Sequence, residues 1–281
     1  MFVFGTLFLA TLSAPASLRA FGTTNFYLFH QLTSIAIGLI LGFIVFKIPL
    51  HILKKLAPIL LLINALLLFA VFLPIIGTEF WGAKRWIILG FTTLQPSEFL
   101  KLTSILYLSA WLSSKFSENQ KKGWISGIKK NSYDFIYIFI PFAIFLALIS
   151  VFMFFQKDAT TLGIIGLTLL FIYFLARTPF WHTLMLIVGG ITSLLVLIKF
   201  EPYRLDRLLI FLHPQTDPLG KGLQLNQSLI AIGSGGFFGK GWGMSSQKFG
   251  FLPQAMSDSV FAVLGEETGI DLPGETTGLI R

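Results

Sequence analysis

The chain has 281 residues, of which 54% are hydrophobic and only 12% charged, about half the charged fraction of an average soluble domain. Such a composition excludes an ordinary water-soluble enzyme and predicts an all-α polytopic membrane protein. The net charge of +8 is scattered among apolar segments instead of forming one solvated run, so it reads as membrane orientation and not as nucleic-acid binding. The absence of cysteine excludes a disulfide, a thiolate nucleophile and a Cys-ligated zinc.

In chain order, Met1 to Ser13 is apolar but shorter than the roughly 20 residues a crossing needs. The Ala-Pro-Ala-Ser that follows resembles a signal-peptidase site, yet no basic n-region precedes the apolar run, which favours a clipped or tilted first span over a cleaved leader. Further spans are predicted over Tyr27 to Phe46, Leu56 to Ile76, Phe99 to Leu112, Phe135 to Phe155, Thr161 to Ala176 and Leu184 to Ile198. The 31 phenylalanines serve core and lipid-facing surfaces, because lipid is the solvent of a helix that is apolar all round.

Short loops orient the bundle, since Lys and Arg near span ends are retained in the cytoplasm. With the N-terminus inside, the inner loops hold Lys47, Lys54, Lys55, Lys115, Lys121, Lys122, Lys129, Lys130 and Arg177, against Arg19, Lys84, Arg85 and Lys157 in the short outer loops. A large outer loop over 199–257 follows, and long loops in compact domains are usually functional. Within it, Arg204 to Leu212 has leucines at helical spacing and reads as a surface helix. Gly233 to Gly243 is rich in turn-forming glycine. An eighth span starts near Phe261 but meets Glu266, Glu267, Asp271 and Glu275 before Arg281.

Several common sites fail on spacing. The glycine-rich segment has Ser234 five residues before Gly239 and Gly241 after Lys240, neither of which fits a phosphate loop. His30, His51, His182 and His213 include no pair at the spacing of a zinc helix. Polar residues at span ends are more informative, because a charge at bilayer depth costs about 2.5 to 3.5 kcal/mol on insertion scales. Glu98 and Lys101 stand at i, i+3 and can pair as a helix anchor. Asp158 before Thr161, and Asp258 before the apolar VFAVL run, each read as either a helix N-cap or a functional carboxylate. Lys84, Arg85 and Trp86 share the predicted outer side with Arg204, Arg207 and Lys240, a set of cations suited to a phosphate head group. General attraction to anionic lipid is the alternative.

Four stretches carry a family resemblance: GAKRWIILG (Gly82 to Gly90), QPSEFLKL (Gln95 to Leu102), the run from Tyr203 to Gly243, and FLPQAMSDSVFAVLGEETG (Phe251 to Gly269). In this order they resemble the SEDS family of FtsW, RodA and SpoVE, with YRLDRL and QKFGFLP closer to the division-type branch. The resemblance implies a SEDS-type bundle of ten spans, of which seven to eight are present here, with a single domain over 1–269. From Asp271 the likeness ends, so 270–281 is read as the tail of a truncated or frameshifted chain. Lys157 replaces a family proline, Thr160 a glycine and Gln254 a glutamate.

The family's activity, polymerisation of lipid II into peptidoglycan strands, is the implied function, in the bacterial inner membrane with the N-terminus in the cytoplasm. A class B penicillin-binding protein and other divisome or elongasome proteins are the implied partners. The essential acid of the family falls on Asp258 as catalytic base. Lys84, Arg85, Trp86, Glu98, Lys101, Asp158, Arg204, Arg207 and Lys240 are the candidates for substrate binding. A divalent cation, Mg or Mn, is a further source of charge, although no cluster of metal ligands is visible in the sequence. A flippase for the lipid-linked precursor and a non-catalytic division scaffold are the rival readings.

Overall fold

The computed structural model describes residues 2–73, 77–80, 83–89, 92–121, 134–176, 178–200, 209–213, 217, 220, 222–253 and 255–269. The chain divides into two compact units, one made of 1–45 with 196–281 and the other of 46–195.

The second unit begins with α3 (Leu50–Ala70), continues through β1 (Gly77–Phe80), β2 (Ala83–Leu89) and β3 (Thr92–Leu94), and then α4 (Pro96–Lys121). It is completed by α5, which opens with a π turn over Phe135–Phe139 and runs as α-helix over Ile140–Phe155, by α6 (Ala159–Leu175) and by most of α7 (Phe180–Phe200). Helix α4 packs against both α3 and α6, and α5 packs on α6. Their shared core holds Leu68, Leu100, Leu108, Phe142, Met153 and Leu169, while Leu62, Leu102, Leu167 and Phe171 stay exposed. Apolar residues on both the packed and the open face are what a lipid-facing helix requires. Buried Asn64 donates from Nδ2 to Thr103 Oγ1 at 3.2 Å, a polar link between α3 and α4.

The first unit contains α1 (Phe2–Phe21), most of α2 (Phe26–Lys47), α8 (Leu223–Gly235) and α9 (Val260–Thr268). Helices α8 and α9 pack together, and Phe8 and Leu12 of α1 join Ala231, Leu252, Ala262 and Val263 in its core. Ser17, fully buried at the end of α1, donates to the Thr23 carbonyl and accepts from Phe26 N–H, tying α1 to the start of α2.

Among the described residues four helices are long and apolar enough to cross a membrane: Val3–Phe21, Phe26–Lys47, Leu50–Ala70 and Phe135–Phe155. The expected elements are present with corrected limits. The first segment does not stop at Ser13 but continues through Pro15 to Phe21, because Ser13 and Ser17 are buried small residues that lower the hydropathy without breaking the helix. Helix α3 starts at Leu50 and carries Lys54 and Lys55 in its first turns, where long stems can run along apolar surface with their charges in water. The region over 199–257 is not a plain loop, since it contains α8 and a 3₁₀ turn at Gln247–Phe249. Of the expected surface helix at Arg204 to Leu212, residues 209–212 are helical, and Arg204 and Arg207 lie outside the described residues.

Candidate functional site

The second unit gathers three polar segments at one end of α4, α5 and α6. Between α3 and α4 the chain forms an antiparallel meander in which Thr78 faces Trp86 and Ile87 faces Leu94. Strand β2 presents Arg85, whose guanidinium donates to the carbonyl of Gln156 at 2.9 Å and to that of Lys157. These carbonyls lie just past the last residue of α5, so a fixed cation meets the negative end of a helix dipole. Lys157 holds φ at +55°, and this turn lets Asp158 follow as the N-cap of α6. Asp158 Oδ1 accepts from Thr161 N–H at 3.2 Å; its Oδ2 accepts from Gln95 Nε2 at 3.2 Å and Ser97 Oγ at 3.4 Å. The cap reading of Asp158 therefore holds, and the same carboxylate also joins the Gln-Pro-Ser-Glu segment to the α5–α6 turn.

Neighbouring candidates are used differently. Glu98 and Lys101 form the expected i, i+3 ion pair at 2.7 Å on a partly exposed face of α4. Arg85 is already committed to backbone carbonyls, whereas half-buried Lys84 has neither an ion pair nor a hydrogen bond among the described residues. Trp86 is half-buried on the same strand.

In the first unit the glycine-rich segment wraps the end of α9. Lys240 N–H donates to the Glu266 carbonyl at 2.9 Å and Gly241 N–H to that of Glu267 at 3.0 Å, which satisfies carbonyls at the C-terminal end of α9. Both side chains of this acidic pair turn inward. Glu266 Oε1 accepts from Lys240 Nζ at 2.6 Å and from Ser246 Oγ at 3.0 Å, and its Oε2 from Ser245 Oγ. Glu267 Oε2 accepts from Gly243 N–H at 2.9 Å, and its Oε1 from Lys248 Nζ at 3.1 Å and Ser245 N–H at 3.4 Å. Burying two carboxylates is tolerable only with partners of this quality. Lys240 is thereby a partner of Glu266 and not a free phosphate ligand, a correction to its expected place in the cation set.

Asp258 stands apart from these acids. The N-cap of α9 is Ser259, which makes no side-chain cap bond, so Asp258 is not the cap that its position before VFAVL allowed. Among the described residues its exposed carboxylate has neither a hydrogen bond nor an ion pair, and it is alone in this among the acidic side chains described. Glu98, Asp158, Glu266 and Glu267 have the partners given above, and Asp134 and Asp217 are also engaged. Among the described residues no three His, Asp or Glu side chains gather as ligands for a metal ion.

The profile of the FtsW/RodA/SpoVE family, described as cell cycle protein, matches residues 1–271. The chain belongs to this family. It is 38% identical over 266 residues to a probable peptidoglycan glycosyltransferase FtsW of Coxiella burnetii, covering 95% of this chain and 68% of that one. A protein of the same name from Nitrosococcus halophilus is 36% identical over 267 residues, covering 95% and 65%. The chain thus spans about two thirds of the length of these FtsW relatives. Its fold is similar to a chain of a peptidoglycan synthase complex that coordinates polymerisation and crosslinking, with a TM-score of 0.61, 26% identity, and coverage of 99% of this chain and 73% of that one. As a member of the FtsW/RodA/SpoVE family with several apolar helices, it is a multi-pass membrane protein.

Relative to the family resemblance, the structure brings Arg85, Gln95, Ser97 and Asp158 into one cluster and keeps Asp258 exposed in the other unit. Glu266, Glu267, Ser245 and Lys248 are the residues that sequence reasoning passed over. Their only signal was an adjacent acidic pair in a short apolar helix after a lysine-bearing glycine segment. Separations of 26 and 19 residues have no periodicity that could have paired Lys240 with Glu266 or Lys248 with Glu267.

Proposed function

We propose that this chain carries the acid of a peptidoglycan glycosyltransferase and that Asp258 is the general base for polymerisation of lipid II. One observation carries the reading: Asp258 is the exposed carboxylate left unpaired while the described acids around the fold are consumed by caps and ion pairs. A base must be accessible and must keep a free lone pair for the incoming proton. The names and identity of the relatives support the same chemistry.

In this reaction the 4-hydroxyl of one lipid-linked sugar attacks the anomeric carbon of another. The hydroxyl proton passes to the Asp258 carboxylate as the new O–C bond forms. The old bond from the anomeric carbon to the pyrophosphate oxygen breaks, and undecaprenyl pyrophosphate leaves with the electron pair. Charge growing on the pyrophosphate needs donors already in place. Lys84, which has neither an ion pair nor a hydrogen bond among the described residues, and Arg204 and Arg207 are the cations we assign to it. A Mg or Mn ion, if bound, would be held by the Asp258 carboxylate together with substrate phosphates and would supply further positive charge to the leaving group.

The excess of Lys and Arg in the expected inner loops supports an N-terminus in the cytoplasm, and with it a bacterial inner-membrane location. Similarity to a chain of a synthase complex that couples polymerisation to crosslinking supports a class B penicillin-binding transpeptidase as partner. Purified protein incubated with lipid II tests the function: glycan strands from the native chain and none from Asp258→Asn are expected. Equal polymer from both would remove Asp258 from the mechanism, and translocation of lipid II without polymer would replace the enzyme by a flippase.

A further inference from the structure

We infer that Lys248 and Glu267 are positioning residues for Asp258, holding its loop as a clasp; this rests on the glycosyltransferase reading above. Residues 249–258 run from the end of the 3₁₀ turn to the start of α9, and both ends of this stretch are tied down. At the entry, Lys248 is almost wholly buried, its side chain 4% exposed, and its Nζ donates both to Glu267 Oε1 and to the Gly243 carbonyl. Glu267 lies on α9, the helix that Asp258 leads into, so the ion pair closes the loop onto its own exit helix.

At the exit, Ser259 Oγ donates to the Pro253 carbonyl at 3.1 Å and lies 3.4 Å from Gln224 Nε2 of α8. A third tie comes from α1, where Arg19 donates to the Phe249 carbonyl at 2.5 Å. Gly250 takes φ of +119° beside this guanidinium, a conformation that L side chains rarely adopt. Leu252 anchors the middle of the stretch in the core of the unit. These ties lie on both sides of Leu252 along the stretch, and Asp258 at its end is exposed.

An unpartnered carboxylate cannot be oriented by its own hydrogen bonds, so its place depends on the backbone that carries it. Lys248 and Glu267 supply this with a charged pair removed from water, where loss of either partner leaves an uncompensated charge. Misplacement of a base by about 1 Å can cost about 10²-fold in rate. The clasp thus acts on turnover through Asp258 and not on ground-state binding.

The chain has no cysteine, so nitroxide labels can be placed at will. Labels at Asp258→Cys and at Ile230→Cys, an exposed position on α8, report the spread of distances between loop and helix by pulsed EPR in detergent. A narrow distribution is expected with the native clasp, and at least a doubling of its width with Glu267→Gln or Lys248→Met. Without labels, the same two variants should lower kcat about 10- to 100-fold with KM unchanged within about two-fold. Lys248→Met leaves the Glu267 bonds to Gly243 and Ser245 N–H in place, so the result does not hang on one variant folding. A distribution that stays narrow in both variants overturns the clasp, whether or not kcat falls, because any loss then bypasses the loop. Failure of native protein to polymerise lipid II would instead overturn the assigned reaction, and the distance measurement would still decide whether the clasp holds the loop.

Discussion

Gly239 and Glu267 are in backbone contact: a Cβ built on Gly239 would fall 2.3 Å from the Glu267 carbonyl oxygen. Gly239 also holds φ at +74°, so both space and conformation demand glycine. This approach brings the glycine-rich segment close enough for Lys240 and Gly241 to cap the end of α9. Gly239→Ala is expected to cost about 1 to 3 kcal/mol from the left-handed conformation alone, before the clash is counted. Thermal unfolding of the purified variant in detergent measures it, and an unchanged midpoint would contradict the contact.

Asp258→Asn should separate activity from stability. The side chain is exposed and makes no hydrogen bond or ion pair among the described residues, so the change in unfolding free energy should stay within about 0.5 kcal/mol. Polymerisation of lipid II should fall by the roughly 10² to 10⁴ that a positioned base contributes. The two assays on one preparation decide it: a large loss of stability would mean that Asp258 has partners after all.

Asp158 gives the opposite pattern. Asp158→Ala removes the N-cap of α6, worth about 0.5 to 2 kcal/mol, and also takes the acceptor from buried Ser97. Asp158→Asn keeps an oxygen for Thr161 N–H and should lose less. If both variants unfold like the native protein, the cluster of Gln95, Ser97 and Asp158 contributes nothing to the fold.

Arg85→Lys should not behave as a conservative change, because one ammonium replaces a planar fork that reaches the Gln156 and Lys157 carbonyls together. A loss of about 1 to 2 kcal/mol is expected, near the value of hydrogen bonds to a charged group with a discount for partial exposure. Comparison of Arg85→Lys with Arg85→Ala by thermal unfolding checks it: equal losses support the fork, and native-like Lys refutes it.

Lys101→Ala tests whether the exposed Glu98–Lys101 pair is only an anchor. Its side chains are 27% and 53% exposed, respectively for Lys101 and Glu98, so the pair should contribute no more than about 0.5 kcal/mol. A fall in polymerisation of ten-fold or more at native stability, on the order of 1.4 kcal/mol of barrier, would assign Lys101 to the substrate. Unchanged activity would leave it an anchor.

The sequence by itself determined the membrane class, the position of most helices and the family, because apolar runs of crossing length and the four ordered motifs are local signals. It also marked Asp258, Asp158, Glu98 and Lys101, since a charge near a span end needs a reason. Its helix limits erred at Ser13 and at Leu56, where small or basic residues lower hydropathy without ending a helix.

What each marked residue does was decided by tertiary structure. A carboxylate before an apolar run reads as a cap in both places, yet Asp158 meets Thr161, Gln95 and Ser97 while Asp258 has no hydrogen bond or ion pair among the described residues. Lys240 looks like one more surface cation until the turn at Gly239 brings it onto buried Glu266. Helical periodicity reaches only three or four residues along the chain, enough for Thr161 but not for Gln95, Ser97 and Glu266, which are 26 to 63 residues from their partners. Their pairing is fixed by backbone turns and close packing, and so by the folded chain alone.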